Sequence, residues 1–264
     1  MRVGRNRFPA AAASRVGTTS TGGVPQGITR QRTFDKEAWH PISELGKKVK
    51  SGEIKTLDEI LDKGTKILDA EIIECLLPNT VTDLLMIGQS KGKFGGGKRT
   101  IWRQTQRKTM EGNKPSFGAM VVIGNKDGYV GVGMGKSKET VPAREKAIRQ
   151  SKLNIIKIRR GCGSWQCNCK EPHSIPVKIK GRVSSIEVTL IPAPKGTGIV
   201  AEKEMAKVIA LAGIKDIHSH TEGHTATKVN LIKACFEALK NLSMIKMKES
   251  DCKNLGVIEG SIKA

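Results

Sequence analysis

From Tyr129 to Gly135, glycine recurs at every second position: Gly131, Gly133 and Gly135 alternate with Val132 and Met134. The run reads as a strand, yet glycine in a strand costs stability unless something must approach the backbone closely. Its neighbours complete a sheet. Phe117–Ile123 is an apolar, β-rich run, and Asn125–Gly128 is a turn in which Asp-Gly supplies the positive φ of a tight hairpin. Arg99–Lys108 reads as a polar, basic strand, and Thr140, with Pro142 just inside, opens a helix that runs to about Asn154. The order strand, strand, strand, helix predicts a compact α+β module with a basic sheet edge.

A second unit follows. Val177 and Ile179 alternate with lysines, and Ile186, Val188 and Leu190 alternate with Glu187 and Thr189, as half-buried strands do. Met205, Val208, Ile209 and Ala212 share one face of a helix closed by Gly213, Ile214–His218 is a candidate third strand, and Val229, Ile232, Phe236 and Leu239 mark a last helix. Upstream, residues 41–83 form a small helical preface in which Thr56 and Glu59 fit a capping box. Residues 1–40 read as a flexible, Arg-rich arm, and residues 243–264 as a loosely held tail. The resulting division is arm 1–40, preface 41–83, first module 84–158, Cys/His linker 159–175, second module 176–242 and tail.

The 264 residues carry a formal charge of +21, unevenly placed. Residues 84–172 hold nineteen basic and five acidic groups, whereas residues 35–83 are net acidic. Between Asp83 and Glu111 stand Lys91, Lys93, Lys98, Arg99, Arg103, Arg107 and Lys108 without one carboxylate. Such a cluster repels itself unless an anion neutralises it, so the expected partner is a polyanion whose binding weakens steeply with salt. Aromatics are 3% of residues, too few for a protein that stacks single-stranded bases. Apolar runs are too short for a membrane span, and six cysteines without a secretory leader fit reduced thiols rather than a disulfide framework.

Four motifs invite chemistry. Gly92–Lys98 has the spacing of a phosphate-cradling P-loop, but Arg99 stands where a magnesium-binding Ser or Thr belongs and a β-favouring run follows. Pro192–Gly198 leads from strand to helix, where Lys195 and free N–H groups favour an anion. Cys162, Cys167, Cys169 and His173 supply four soft ligands for a structural zinc ion, although the one-residue gap strains two ligands on one metal. His218, His220 and His224 cluster before the last helix without a nucleophile or carboxylate pair. Two enzyme readings stand as alternatives: a zinc-dependent RNA-modifying enzyme and a nucleotide-driven RNA remodeller.

Three runs in this order, G-K-F-G-G-G-K-R-T-I-W-R-Q-T-Q-R-K-T, V-V-I-G-N-K-D-G-Y-V-G-V-G-M-G-K-S-K-E and I-P-A-P-K-G-T-G-I-V, resemble the small-subunit ribosomal S-five family over about Ile42–Leu242. R-R-G-C-G-S-W and E-P-H-S-I-P resemble its archaeal and eukaryotic branch. The resemblance implies a double-stranded-RNA-binding-like βββα module, then an α/β module with a sheet backed by two helices and a left-handed βαβ crossover. It implies a non-enzymatic constituent of the cytoplasmic small ribosomal subunit that supports decoding fidelity and assembly. The expected partners are small-subunit rRNA, messenger RNA near its path into the subunit, and small-subunit proteins four and eight, with two and three beside them; no membrane and no small-molecule substrate is expected. The RNA-facing set comprises the seven cations above with Lys136, Lys138, Arg159, Arg160, Lys195, Gly196, Thr197 and Gly198.

Overall fold

The computed structural model describes residue 36, residues 39–89 and residues 99–261. The arm of residues 1–33 and the cations Lys91, Lys93 and Lys98 lie outside them. The described residues form one compact unit. Three short helices come first: α1 (Glu44–Ser51), α2 (Leu57–Asp62) and α3 (Glu71–Leu76). Ser43 caps α1 by accepting the Gly46 N–H at 3.1 Å. The Thr56–Glu59 box is not built as expected. The Thr56 hydroxyl donates to Glu59 Oε1 at 2.7 Å, and no side-chain bond caps α2.

Next come β1 (Val81–Leu85), β2 (Gly88–Gln89), β3 (Arg99–Thr100), β4 (Arg103–Thr109), β5 (Gly112–Gly124), β6 (Tyr129–Ser137), α4 (Thr140–Leu153), β7 (Ile155–Lys157) and β8 (Arg159–Arg160). The main sheet has the order β1-β5-β6-β7. The long β5 carries two partners: β1 pairs with Met120–Gly124, and β4 pairs with Gly112–Gly118. The β4–β5 hairpin therefore continues as a wing beyond the part of β5 that β6 covers, which begins at Phe117.

Alternation along β5 sorts its two faces. Ala119, Val121 and Ile123 pack with Ala147 of α4. Opposite them in register stand Gly135, Gly133 and Gly131. A Cβ at Gly133 would strike Ser151 N and Ala147 O of α4, and one at Gly135 would lie 2.5 Å from Ala147 N. The glycine alternation is thus the seat of a helix laid directly on the strand. The expected hairpin turn differs. Asn125–Tyr129 forms a wider loop in which Lys126 and Gly128 take positive φ, while Asn125 Oδ1 accepts from Asp127 N and Tyr129 N. The loop is wider because its amides cap another element: Lys126 N and Gly128 N donate to the Leu211 and Ala212 carbonyls.

The second sheet is built from β9 (Ile179–Val183), β10 (Ile186–Pro192), β11 (Ile199–Val200) and β12 (Ile217–Glu222), with α5 (Lys203–Leu211) and α6 (Lys228–Met244). Its order is β11-β12-β10-β9, and β11 runs parallel to β12 across α5. The third strand expected at Ile214–His218 lies further on, because Ile214 is buried beyond the α5 C-terminus before the chain reaches the sheet. One core serves both sheets. Met120, Val122, Val130 and Val132 pack in the same cluster as Leu190, Met205, Val208, Ile209, Ile232 and Leu239. Each such side chain contributes roughly 1.5–3 kcal/mol of burial.

The C-terminal segment is not a loose tail. After α7 (Glu249–Asn254), β13 (Ile258–Glu259) pairs antiparallel with β8, and the Cys162 and Gly260 amides donate to the Leu255 and Ile158 carbonyls. Among the described residues no helix is long and apolar enough to cross a membrane.

Candidate nucleic-acid interface and Cys/His knuckle

The wing gathers cations by register. Arg103, Gly118 and Lys136 lie directly across β4, β5 and β6, and Arg107 lies directly opposite Lys114. Directly opposed residues share a face, so Arg103, Arg107, Lys114 and Lys136 form one exposed group on the face away from α4. Lys108 points to the other side, opposite Asn113, and Lys138 follows the end of β6. Like charges directly opposed destabilise a sheet. Glu111, 2.7 Å from Lys114 at the hairpin tip, is the carboxylate that relieves this group. Among the described residues no carboxylate pairs with Arg103, Arg107, Lys108, Lys136 or Lys138. Arg99 is exposed, and its Nη2 donates to the Ala226 carbonyl at 3.3 Å.

Lys114 was not among the expected site residues. It sits beyond Glu111, where the carboxylate-free run ends, and only the hairpin register brings it back against Arg107. The signal in the sequence was the two-residue turn Met110-Glu111 before a glycine.

Two arginines of the expected RNA-facing set have partners within the protein. Arg160 is 3% exposed; its Nη2 donates to Asp127 Oδ1 at 2.6 Å and to the Gly260 carbonyl at 3.0 Å. Arg159 is held by Glu259 and the Ile245 carbonyl. Both guanidiniums fasten the C-terminal segment, Arg160 from a buried position and Arg159 from a partly exposed one.

The Pro192–Gly198 loop is also not an open anion cradle. Gly196 N and Gly198 N donate to Asp216 Oδ1 at 3.0 and 2.8 Å, so a carboxylate of the chain itself fills the place of an external anion. The loop leads into β11, and Glu202 caps α5 by accepting from Glu204 N and Met205 N. Lys195 remains exposed, 2.7 Å from Glu171, whose carboxyl that hydrogen bond lowers below the ordinary range. Of the histidine cluster, His218 and His220 lie on β12, and His220 Nε2 faces Glu222 at 3.2 Å.

The four knuckle residues converge: one ligand atom from each of Cys162, Cys167, Cys169 and His173 lies within 4.8 Å of the others. A tetrahedral zinc ion sets such edges at about 3.5–3.8 Å, given its usual bond lengths. Cys167 Sγ and His173 Nε2 are already 3.8 Å apart. Cys167 and Cys169 both reach the cluster despite their single-residue gap. Burial pushes the Cys162 thiol up to about 11, while backbone N–H groups of Lys195 and Cys169 draw Cys167 down to about 6. On the far side of the ring, His173 Nδ1 is buried 2.9 Å from Asp216 Oδ2, without a well-formed hydrogen bond. A Cys3His donor set with a carboxylate behind the imidazole suits zinc.

Two main sheets with packed helices around a common core, one cationic wing and one Cys/His knuckle define a mixed α/β protein. The family model described as ribosomal protein S5, N-terminal domain, matches residues 101–159, and that of ribosomal protein S5, C-terminal domain, matches residues 181–250. The small ribosomal subunit protein uS5 of Nanoarchaeum equitans is 47% identical over 226 residues, covering 86% of this chain and 97% of that protein. That of Methanothermobacter thermautotrophicus is 44% identical over 224 residues, 85% and 97% of the two chains. That of Pyrobaculum arsenaticum is 44% identical over 213 residues, 81% and 98%. The chain belongs to the ribosomal protein S5 family. It is a structural protein and not an enzyme, which removes the RNA-modifying and nucleotide-driven readings.

Proposed function

We propose that the β4–β5 wing lies along the phosphate backbone of small-subunit rRNA and anchors the protein in the subunit. The protein is a structural constituent of the cytoplasmic small ribosomal subunit. The observation that carries the RNA contact is the alignment of Arg103 with Lys136 across Gly118, and of Arg107 opposite Lys114, on one exposed face with Glu111 as its carboxylate. Phosphates relieve such a group, and they fix register on a duplex without reading bases. The deep groove of an RNA helix excludes side chains, so shape and backbone contacts suit this wing. In the same reading β4-β5-β6-α4 acts as a double-stranded-RNA-binding-like module, and β11-α5-β12 is the left-handed crossover unit. Messenger RNA near its path into the subunit and proteins four, eight, two and three are the neighbours, and the wing supports decoding fidelity and assembly. The knuckle holds a structural zinc ion through Cys162, Cys167, Cys169 and His173.

Arg103→Glu combined with Arg107→Glu tests the wing. Two lost phosphate contacts flatten the dependence of log K on log salt by about 1.4–1.8, at roughly 0.7–0.9 per contact. Sedimentation should show the variant outside the small-subunit peak. An unchanged slope with normal incorporation refutes the assignment.

A further inference from the structure

Asp216 joins two features that the sequence sets far apart. It is a carboxylate at 5% exposure. A buried charge is stable only when its oxygens are well partnered. Among the described residues no Lys or Arg pairs with it. Its Oδ1 takes the two loop amides of Gly196 and Gly198, and its Oδ2 faces the imidazole of His173. That ring is itself buried, at 4% exposure, and its Nδ1 is left without a well-formed hydrogen bond. Its other nitrogen, Nε2, faces the Cys167 sulfur.

The loop is therefore tied to the knuckle's histidine, through Asp216, at residues 196 and 198.

Resting on the zinc reading above, we propose that a zinc ion held by Cys162, Cys167, Cys169 and His173 fixes the Lys195–Gly198 loop, with Asp216 as the positioning residue between them. Metal on Nε2 makes Nδ1 an obligatory N–H donor aimed at the carboxylate, and such outer partners orient the ring and raise its basicity as a ligand. One oxygen of Asp216 then satisfies the ring while the other holds both loop amides. On binding, the thiols give up their protons to solvent. Without the metal, the 2.9 Å approach of His173 Nδ1 to Asp216 Oδ2 is not fixed by a ligated ring, and the loop that presents Lys195 and Thr197 is held less firmly.

The test uses the full chain with cobalt(II) as a spectroscopic probe and zinc as competitor. It also follows hydrogen exchange at the Gly196 and Gly198 amides. The wild type should bind one equivalent with the absorption of a tetrahedral thiolate site, and chelation should speed exchange at both amides. Asp216→Asn sets an amide N–H against either the ring or the loop. It should keep the band positions, weaken metal binding 10–100-fold, as removal of an outer partner does, and exchange fast at both glycines with or without metal. Cys169→Ser tests the link from the metal side without touching Asp216. It should lose the tetrahedral thiolate spectrum and show the same fast exchange. Normal metal affinity in Asp216→Asn, with exchange at Gly196 and Gly198 indifferent to metal, overturns the coupling and leaves the zinc site standing. Absence of any thiolate–cobalt absorption in the wild type overturns the zinc reading itself.

Discussion

Replacing Gly133 by alanine should separate α4 from the sheet. A Cβ there meets Ser151 N, Ala147 O and, at 2.7 Å, Gln150 C, whereas ordinary contact begins near 3.4 Å. The obstacle is helix backbone, so no side chain can swing aside, and α4 must retreat by at least about 0.7 Å. A gap of 0.5–1 Å already forfeits roughly a quarter to a half of each dispersion contact. The retreat would open the small cluster of Ala119, Val121, Ile123 and Ala147. Overpacking costs roughly 1–3 kcal/mol, and rigid obstacles put this site at about 3 kcal/mol. For a chain of this size that lowers Tm by about 6–12 °C.

Gly118 provides the internal control. It lies in the neighbouring strand of the same sheet, but on the opposite face, and a Cβ there finds Met134 Cε at 3.6 Å and the Arg103 carbonyl at 3.7 Å, both ordinary contacts. Gly118→Ala should stay within about 0.5 kcal/mol of wild type, helped by the lower freedom of the unfolded chain. Thermal unfolding followed by circular dichroism compares the two variants under identical conditions. Equal midpoints for Gly133→Ala and Gly118→Ala would show that helix proximity is not why β6 carries glycine.

Two further outcomes follow from buried polar groups. Tyr129, the single tyrosine of the chain, is raised well above its ordinary value, first by burial and then by its 2.6 Å hydrogen bond to Asp58. The folded state therefore holds the phenol proton more tightly than the unfolded one. That stability is complete below about pH 10 and is lost as pH rises through the folded value; tyrosinate absorbance rising near pH 10 in the folded protein would contradict it. Arg160→Met removes the donor to Asp127 and Gly260. Breaking a buried pair costs about 3–5 kcal/mol, and the partly exposed Asp127 brings this nearer 2–3 kcal/mol. Denaturant titration should show the loss while rRNA affinity stays unchanged, and the opposite pattern would restore Arg160 to the interface.

Local pattern made much of this fold readable. Thr140 with Pro142 marks the start of α4 to the residue, and the alternation in Ile186–Leu190 marks β10. What stayed hidden depends on partners distant in sequence. Val81–Leu85 has no clean alternation, yet it becomes a strand because half of β5 would otherwise be an open edge. Residues 112–116 continue β5 with no apolar face, because the wing has solvent on both sides. The expected anion loop has the right glycines, but its anion comes from Asp216, twenty residues downstream of Gly196. The tail reads as loose because its partners, Ile158 and Arg160, sit about a hundred residues away. The Cys/His set was legible as a cluster, but Asp216 behind the ring was not, since a single aspartate carries no spacing signal.

The same geometry explains why a net charge of +21 is compatible with a compact core. The cations nearest the core have carboxylates beside them. Lys157 stands between Asp58 and Asp62, Lys152 meets Glu74, Lys207 meets Asp83 and Glu204, and Arg159 meets Glu259. These pairs knit the helical preface, the first sheet, α5 and the C-terminal strand together. Among the described residues, a group of cations, most of them unpaired, stands outward on β4, the distal half of β5 and the end of β6, where water and salt screen it and where folding buries little. Self-repulsion there is a cost the isolated fold can carry, because the wing contributes little to the core. The cost turns into affinity once phosphates lie along the wing and their counterions are released. A reversal of charge on the wing should therefore weaken binding without melting the protein, whereas loss of an inner cation such as Arg160 should do the reverse.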